Sequence, residues 1–188
     1  MRKRLLAQIR AHQKLGTAEM FDSIDAELKV RLDSLIRELE DRIVAAISSD
    51  DLLSETVGVL RSIPGIGPVA STMLVAEMPE LGTITGEQAA ALVGLAPVAH
   101  DSGTLVAHDS GTLRGKRSIA GGRRALRHVM FQAALVAAHH NPTMKIFADR
   151  LRKAGKPHKV IVTAVARKLV ALANALCRKR QKWLLPKP

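Results

Sequence analysis

At 188 residues the chain is long enough for one domain or two small ones. Its hydrophobic content of 47% with only 2% aromatics requires a core of Leu, Ile, Val and Ala, which suits helices and argues against aromatic platforms for stacking single-stranded bases. The single cysteine, Cys177, excludes a disulfide framework or a cysteine-based zinc site within one chain and favours a reducing, cytoplasmic setting; the net charge of +12 calls for a polyanionic partner.

That charge is unevenly placed. Met1–Glu87 carries 10 Lys/Arg against 14 Asp/Glu, whereas Gln88–Pro188 carries 19 Lys/Arg against three acids, Asp101, Asp109 and Asp149. The basic residues are spread over several elements instead of one amphipathic face, so nucleic acid is a better partner than a membrane surface. No stretch approaches the roughly 20 uninterrupted apolar residues of a membrane span.

Leu5, Leu6 and Ile9 begin an amphipathic helix that breaks near Gly16-Thr17. Over residues 18–47, Ile24, Leu28, Leu32, Leu35, Leu39, Ile43 and Ile47 recur at steps of three and four, giving one apolar stripe on a long helix. A stripe this narrow suits a coiled coil or a helical hairpin, and packing within the domain or between chains are both open. After a polar break at 48–51, a helix from about 54 to 62 meets Ile63-Pro64-Gly65-Ile66-Gly67-Pro68, and a second helix runs from about 69 to 77. Two glycines around an apolar residue allow a tight reversal whose amides, with those of the next helix, can converge on a phosphate oxygen. Gly65, Ile66 and Gly67 are therefore candidate contacts to a DNA backbone, in the manner of a helix-hairpin-helix. The plainer alternative is a turn that packs Ile63 and Ile66 into the core.

A short helix capped at Thr85 and closed by Gly94 and Pro97 follows. Residues 98–122 then read as a long Gly/Ser-rich loop in which the octapeptide VAHDSGTL occurs twice, at Val98–Leu105 and Val106–Leu113. Each copy contains Asp-Ser-Gly, so Ser102 and Ser110 are alternative nucleophiles on an accessible loop. Serine attacks poorly unless a base or strong positive charge assists it. His100 and His108 are candidate bases, and Asp101 and Asp109 can brace the loop through Asx-turns. Arg114, Lys116 and Arg117 stand just downstream and could hold a phosphate and stabilise a pentavalent phosphorus transition state. Arg123, Arg124 and Arg127 open the next helix, where cations oppose the macrodipole; that conflict implies an anion at this helix end, and with Arg114, Lys116 and Arg117 these arginines are candidate contacts to DNA phosphate.

Three helices close the chain: Arg123–His139, Pro142–Ala154 with Asn141 as its cap, and a nearly all-apolar helix opened by Pro157. The expected fold is all-α, organised as a coiled-coil segment (1–53), a helix-hairpin-helix (54–81) and a compact, basic helical domain (82–188). No metal-ligand set is evident, and there is no Walker loop, dinucleotide fingerprint or metalloprotease helix.

The segments LRSIPGIGPVASTMLVAEMPELG, AALVGLAP, DSGTLRGKRSIAGGR, LVAAHHNPTMKIFADRLRKAGKPHKV and VARKLVALANAL, in this order, resemble the C-terminal region of transposases of the insertion sequence 110/116/902 family, from Met1 to about Leu176. The resemblance implies a DNA-binding protein of transposition and recombination. Its essential serine, corresponding to Ser102 or Ser110, attacks a DNA phosphodiester and forms a covalent phosphoserine link. It also implies bacterial origin, nucleoid association, oligomers and a structured guide RNA. A RuvC-like domain with an Asp-Glu-Asp-Asp set binding Mg2+ has no counterpart in this sequence, so that domain is expected from another chain and no cofactor is expected in this one. A non-catalytic DNA- or RNA-binding remnant is the competing reading. The family pattern has one octapeptide where this chain has two: Ser102 keeps the spacing to Gly94-Leu95-Ala96-Pro97, and Ser110 keeps the spacing to the arginines. Ser110 is the favoured nucleophile because the arginines would hold the scissile phosphate.

Overall fold

The computed structural model describes residues 1–98, 118–119 and 121–184 of the chain. It divides into two compact units, Met1–Asp51 and Leu52–Pro188. The hairpin segment 54–81 lies in the same unit as the residues that follow it.

In the first unit, α1 (Arg2–Leu15) ends at Gly16 and pairs with α2 (Ala18–Ser48). The turn at 16–17 and the two helix spans match the sequence pattern closely. Polar contacts set the register: His12 Nδ1 lies 2.9 Å from Asp25 Oδ2, and Arg2 Nε donates to Asp33 Oδ1 at 2.6 Å. The His12 ring also stacks on Phe21 with centroids 4.3 Å apart. This pairing uses a different face of α2 from the apolar stripe. Ile24, Leu28, Leu35, Leu39 and Ile43 stay exposed, while Asp25 is buried.

Among its described residues, the second unit is built of helices joined by turns, with one pair of two-residue strands. α3 (Asp51–Arg61) leads through the Pro64–Pro68 turn into α4 (Pro68–Glu77). The short α5 (Gly86–Leu92) begins with a reciprocal capping box: Gln88 N donates to Thr85 Oγ1 and Thr85 N donates to Gln88 Oε1. Strands β1 (Pro97–Val98) and β2 (Ser118–Ile119) pair antiparallel, Pro97 with Ile119 and Val98 with Ser118. Sequence periodicity gives no sign of them, because two residues are too few to show a period of two. Then come α6 (Arg124–His140), α7 (Pro142–Lys153) and α8 (His158–Lys179).

The core is centred on α8, against which α5, α6 and α7 all pack; α4 packs on α6. The inner face of α8 buries Ile161, Val162, Val165, Ala166, Leu169, Val170 and Ala173. Leu60, Ile63, Leu74, Met78, Leu126, Met130 and Met144 close around it. Each fully buried side chain of this size contributes roughly 1.5–3 kcal/mol. By length and composition α8 could cross a membrane, but here its apolar face is the middle of the core. Cys177 packs against the same cluster, and burial pushes its thiol up to about 11, so it remains protonated at neutral pH.

Asn141 joins three elements. It is fully buried between α6 and α7, its Oδ1 accepts from Met144 N at 3.2 Å, and its Nδ2 donates to Pro64 O at 3.2 Å. One side chain thus caps α7 and fastens the Pro-Gly turn to it. Replacing Asn141 with Ala removes the cap and strips Pro64 O of its donor, for an expected loss of about 1–3 kcal/mol. Thermal unfolding should show Tm lowered by several degrees; an unchanged Tm would contradict the assignment.

Candidate functional site

Three polar side chains, Arg167, Asn174 and Arg178, interrupt the apolar sequence of α8. Steps of seven and four residues bring them to one helix face. All three bind the backbone of the chain segment that runs from the end of α4 past α5. Asn174 accepts from Gly82 N at 2.8 Å and donates to Ile84 O at 2.8 Å. Arg178 donates to Gly82 O at 3.1 Å and also to Ile84 O. Arg167 places two donors on one carbonyl, with Nε at 2.9 Å and Nη2 at 2.6 Å from Leu95 O. The result is a segment, 82–95, laced to the most buried helix of the fold.

Leu95 is two residues before β1, so Arg167 fixes the entry to the loop segment. The exit is fixed from α6. Arg127 Nη1 donates to Gly121 O at 2.5 Å and lies 3.4 Å from Gly94 O. The backbones of Gly94 and Gly122 cross in contact: a Cβ on Gly94 would sit 2.3 Å from Gly121 O, and one on Gly122 would sit 2.3 Å from Gly94 N. Both residues also have positive φ, +74° and +64°, so only glycine fits either position. Arg123 N donates to Leu92 O at 2.8 Å, and the β1–β2 pair completes the closure. Entry and exit of the segment that carries both candidate serines are therefore bound together.

The Arg123 side chain forms a two-pronged ion pair with Glu80, Nη1 to Oε2 at 3.0 Å and Nη2 to Oε1 at 2.7 Å. The hydrogen bond from Arg123, helped by a backbone hydrogen bond, holds the Glu80 carboxyl below its usual range. The anion that the cationic start of α6 implied is, in this structure, Glu80.

The sequence-derived site residues fall into three groups. Ser102, Ser110, His100, His108, Arg114, Lys116 and Arg117 lie outside the described residues. Arg123 and Arg127 stand together at the loop base in the contacts above, while Arg124 is exposed beside them. Gly65, Ile66 and Gly67 form the turn before α4. Ile66 is buried with Ile63, and Gly65 at φ +106° presses on α6, where an added Cβ would lie 2.5 Å from Ala137 Cβ. Gly67 is exposed at the N-cap of α4 with open space around it. Sequence reasoning missed Glu80 and Arg167. The available signal for Arg167 was a lone arginine inside VIVTAVARKLVALANAL, where a cation needs a nearby acceptor. Among the described residues, no group of three or more His, Cys, Asp or Glu side chains could hold a metal ion.

Residues 57–149, from α3 into α7, match the model of the transposase IS116/IS110/IS902 family. Over this segment the chain belongs to that family. Two curated relatives are each 27% identical over 96% of this chain: the pilin gene-inverting proteins of Moraxella bovis and Moraxella lacunata. An uncharacterized 42 kDa protein of insertion element IS900 from Mycobacterium paratuberculosis is 32% identical over 64% of the chain. The chain spans 55% of the length of the two pilin gene-inverting proteins and 29% of the IS900 protein. The family segment contains the Pro-Gly turn, both ends of the loop, Glu80, Arg123 and Arg127. Arg167, Asn174 and Arg178 lie beyond it, on α8.

Replacing Arg167 with Met keeps the apolar stem and removes both donors to Leu95 O. A charged donor of this kind contributes about 1.5–3 kcal/mol, so the loop base should open at least about tenfold more often. Limited proteolysis within residues 99–117 should accelerate correspondingly while far-ultraviolet circular dichroism is unchanged. Equal cleavage rates would show that Arg167 does not fasten the loop.

Proposed function

We propose that this chain is the DNA-acting, serine-bearing part of a transposase that exchanges DNA strands in transposition or site-specific recombination. The observation that carries the reading is the closed loop base: a segment containing two Asp-Ser-Gly copies and a basic cluster leaves and rejoins the helical core at one clamped point. Membership of the transposase family supports it, as does the relation to two proteins named for inverting a pilin gene.

In the proposed reaction the serine Oγ attacks phosphorus of a DNA phosphodiester. A phosphoserine ester forms, one phosphorus–deoxyribose oxygen bond breaks, and the departing oxygen takes a proton. Arg114, Lys116 and Arg117 neutralise charge on the non-bridging oxygens, which in a water-poor site lowers the barrier most when the donors are already in place. Ser110 is the favoured nucleophile and Ser102 the alternative. The reading includes DNA contact through the exposed Gly67 end of α4 and through Arg124. It also includes assembly with further copies, a structured guide RNA and a RuvC-like domain from another chain. Mg2+ belongs to that domain's carboxylates; the described residues here offer no donor set for it, and no step in this chain is routed through it.

The test is covalent trapping. The chain, with a RuvC-like domain supplied in trans, is incubated with supercoiled DNA carrying the element's ends and run on a denaturing gel. We expect a protein–DNA adduct that Ser110→Ala abolishes and Ser102→Ala retains. Adduct lost only in Ser102→Ala would transfer the role to the first copy. Salt-sensitive DNA binding with no adduct from any form would favour the non-catalytic nucleic-acid-binding reading.

A further inference from the structure

The arginines at the loop base are engaged within the protein: Arg123 with Glu80, Arg127 with Gly94 and Gly121, Arg167 with Leu95. A cluster of exposed cations lies elsewhere, at the turn between α7 and α8. Arg150, Arg152, Lys153, Lys156, His158 and Lys159 are all exposed there. Asp149 is the only acid in the sequence beyond Asp109, and it pairs with Arg152. Three of these cations have a local explanation. Arg150, Arg152 and Lys153 sit in the last turn of α7, where positive charge complements the macrodipole. Lys156, His158 and Lys159 have none. His158 and Lys159 open α8, whose first turn holds no acid and whose N-cap, Pro157, supplies no side-chain hydrogen bond. Positive charge there works against the helix.

A second feature lies alongside. The Phe147 ring has Lys168 Nζ 4.6 Å and Arg150 Cζ 5.4 Å from its centroid. Both cations lie in the range where cation–π attraction operates, and with Thr143, Ile146 and Phe147 they line a groove of about 340 Å3. The turn and the groove lie along α7 and α8; the carboxylates beside them are Asp149, paired with Arg152, and Glu87, which lines a neighbouring groove with Lys168.

We propose that this surface docks the phosphate backbone of a nucleic-acid duplex, separately from the serine loop. It fits a duplex better than a single strand because it presents point charges with no exposed aromatic face for stacking: Phe147 is half-buried under its two cations. Such contacts position the protein and read no sequence. The proposal rests on the reading of the chain as a nucleic-acid-acting protein and adds to it a second point of grip.

The experiment measures binding of the full chain to a fluorescent 30-base-pair DNA duplex of arbitrary sequence across a salt series. The variants are K153A/K156A/K159A, R150A/K168A and, on the loop, R114A/K116A/R117A. Each lost phosphate contact lowers the slope of log affinity against log salt by about 0.9, so the turn variant should lose up to about 2.7 and bind at least about tenfold more weakly at low salt. R150A/K168A should lose up to about 1.8. Turn and loop effects should add when combined, as for separate surfaces. A turn variant with wild-type slope and affinity would overturn the proposal, while leaving adduct formation and the serine reading intact. An adduct that fails while turn-dependent binding persists would remove the serine reading alone. Duplex RNA bound more tightly, with the same dependence on the turn, would identify RNA as the source of the backbone. Binding to phosphatidylserine vesicles with none to either duplex would overturn the proposal in favour of a membrane surface.

Discussion

The polar face of α8 is the constraint from which the site follows. A helix this apolar is fixed in the core by burial alone, yet burial is non-directional and would tolerate small sliding of whatever packs against it. Arg167, Asn174 and Arg178 remove that freedom for residues 82–95, because hydrogen bonds to named carbonyls and amides are satisfied in one register only. Everything that leads into the loop is positioned by this face. Asn174 shows the logic most clearly: it is 2% exposed in the middle of the core, and both halves of its amide find a backbone partner.

From that fixed segment the chain enters the loop at Leu95 and returns to α6 through two glycines in van der Waals contact with it. The crossing at Gly94 and Gly122 brings backbone against backbone, closer than any side chain at either position would allow. On the proposed reading a nucleophile between these two ends gains from such anchoring, since a displacement of about 1 Å can cost roughly a hundredfold in rate. The doubled octapeptide is compatible with such an arrangement on the side of stability: lengthening a loop whose ends are already clamped adds only a small closure entropy. The arginines follow a division of labour. Arg123, Arg127 and Arg167 face inward to Glu80 and to carbonyls, whereas six exposed cations stand at the turn between α7 and α8, one of them, Arg152, paired with Asp149.

Local chemistry was legible in the sequence wherever cause and effect were a few residues apart. The Thr85 capping box, the Asn141 cap followed by Pro142, and the break at Gly16 were all readable, because a helix end is decided by its own neighbours. The stripe on α2 was read correctly as a periodicity, but period does not say what covers it; α1 pairs through Leu5, His12 and Arg2 on another face, and the stripe stays exposed. Contacts across long separations were not legible. Arg167 reaches a carbonyl 72 residues away and Asn174 an amide 92 away, and nothing local encodes the partner. The cationic start of α6 pointed to a phosphate contact, and the Arg123 side chain pairs instead with Glu80, 43 residues upstream, a partner nothing local encodes. Gly65 entered as a candidate DNA contact, and its close packing on Ala137, 72 residues away, was not legible in the sequence.

On the proposed reading, α8 positions the entry to a serine-bearing segment that it does not itself carry. The most direct measurement compares, for wild type and Arg167→Met, the rate of protein–DNA adduct formation with the affinity for the same DNA. If α8 positions the loop, the rate falls at least about tenfold while Kd is unchanged, because the lost donors hold backbone and not phosphate. A variant that forms adduct at the wild-type rate, or that loses affinity in proportion to rate, would contradict the account.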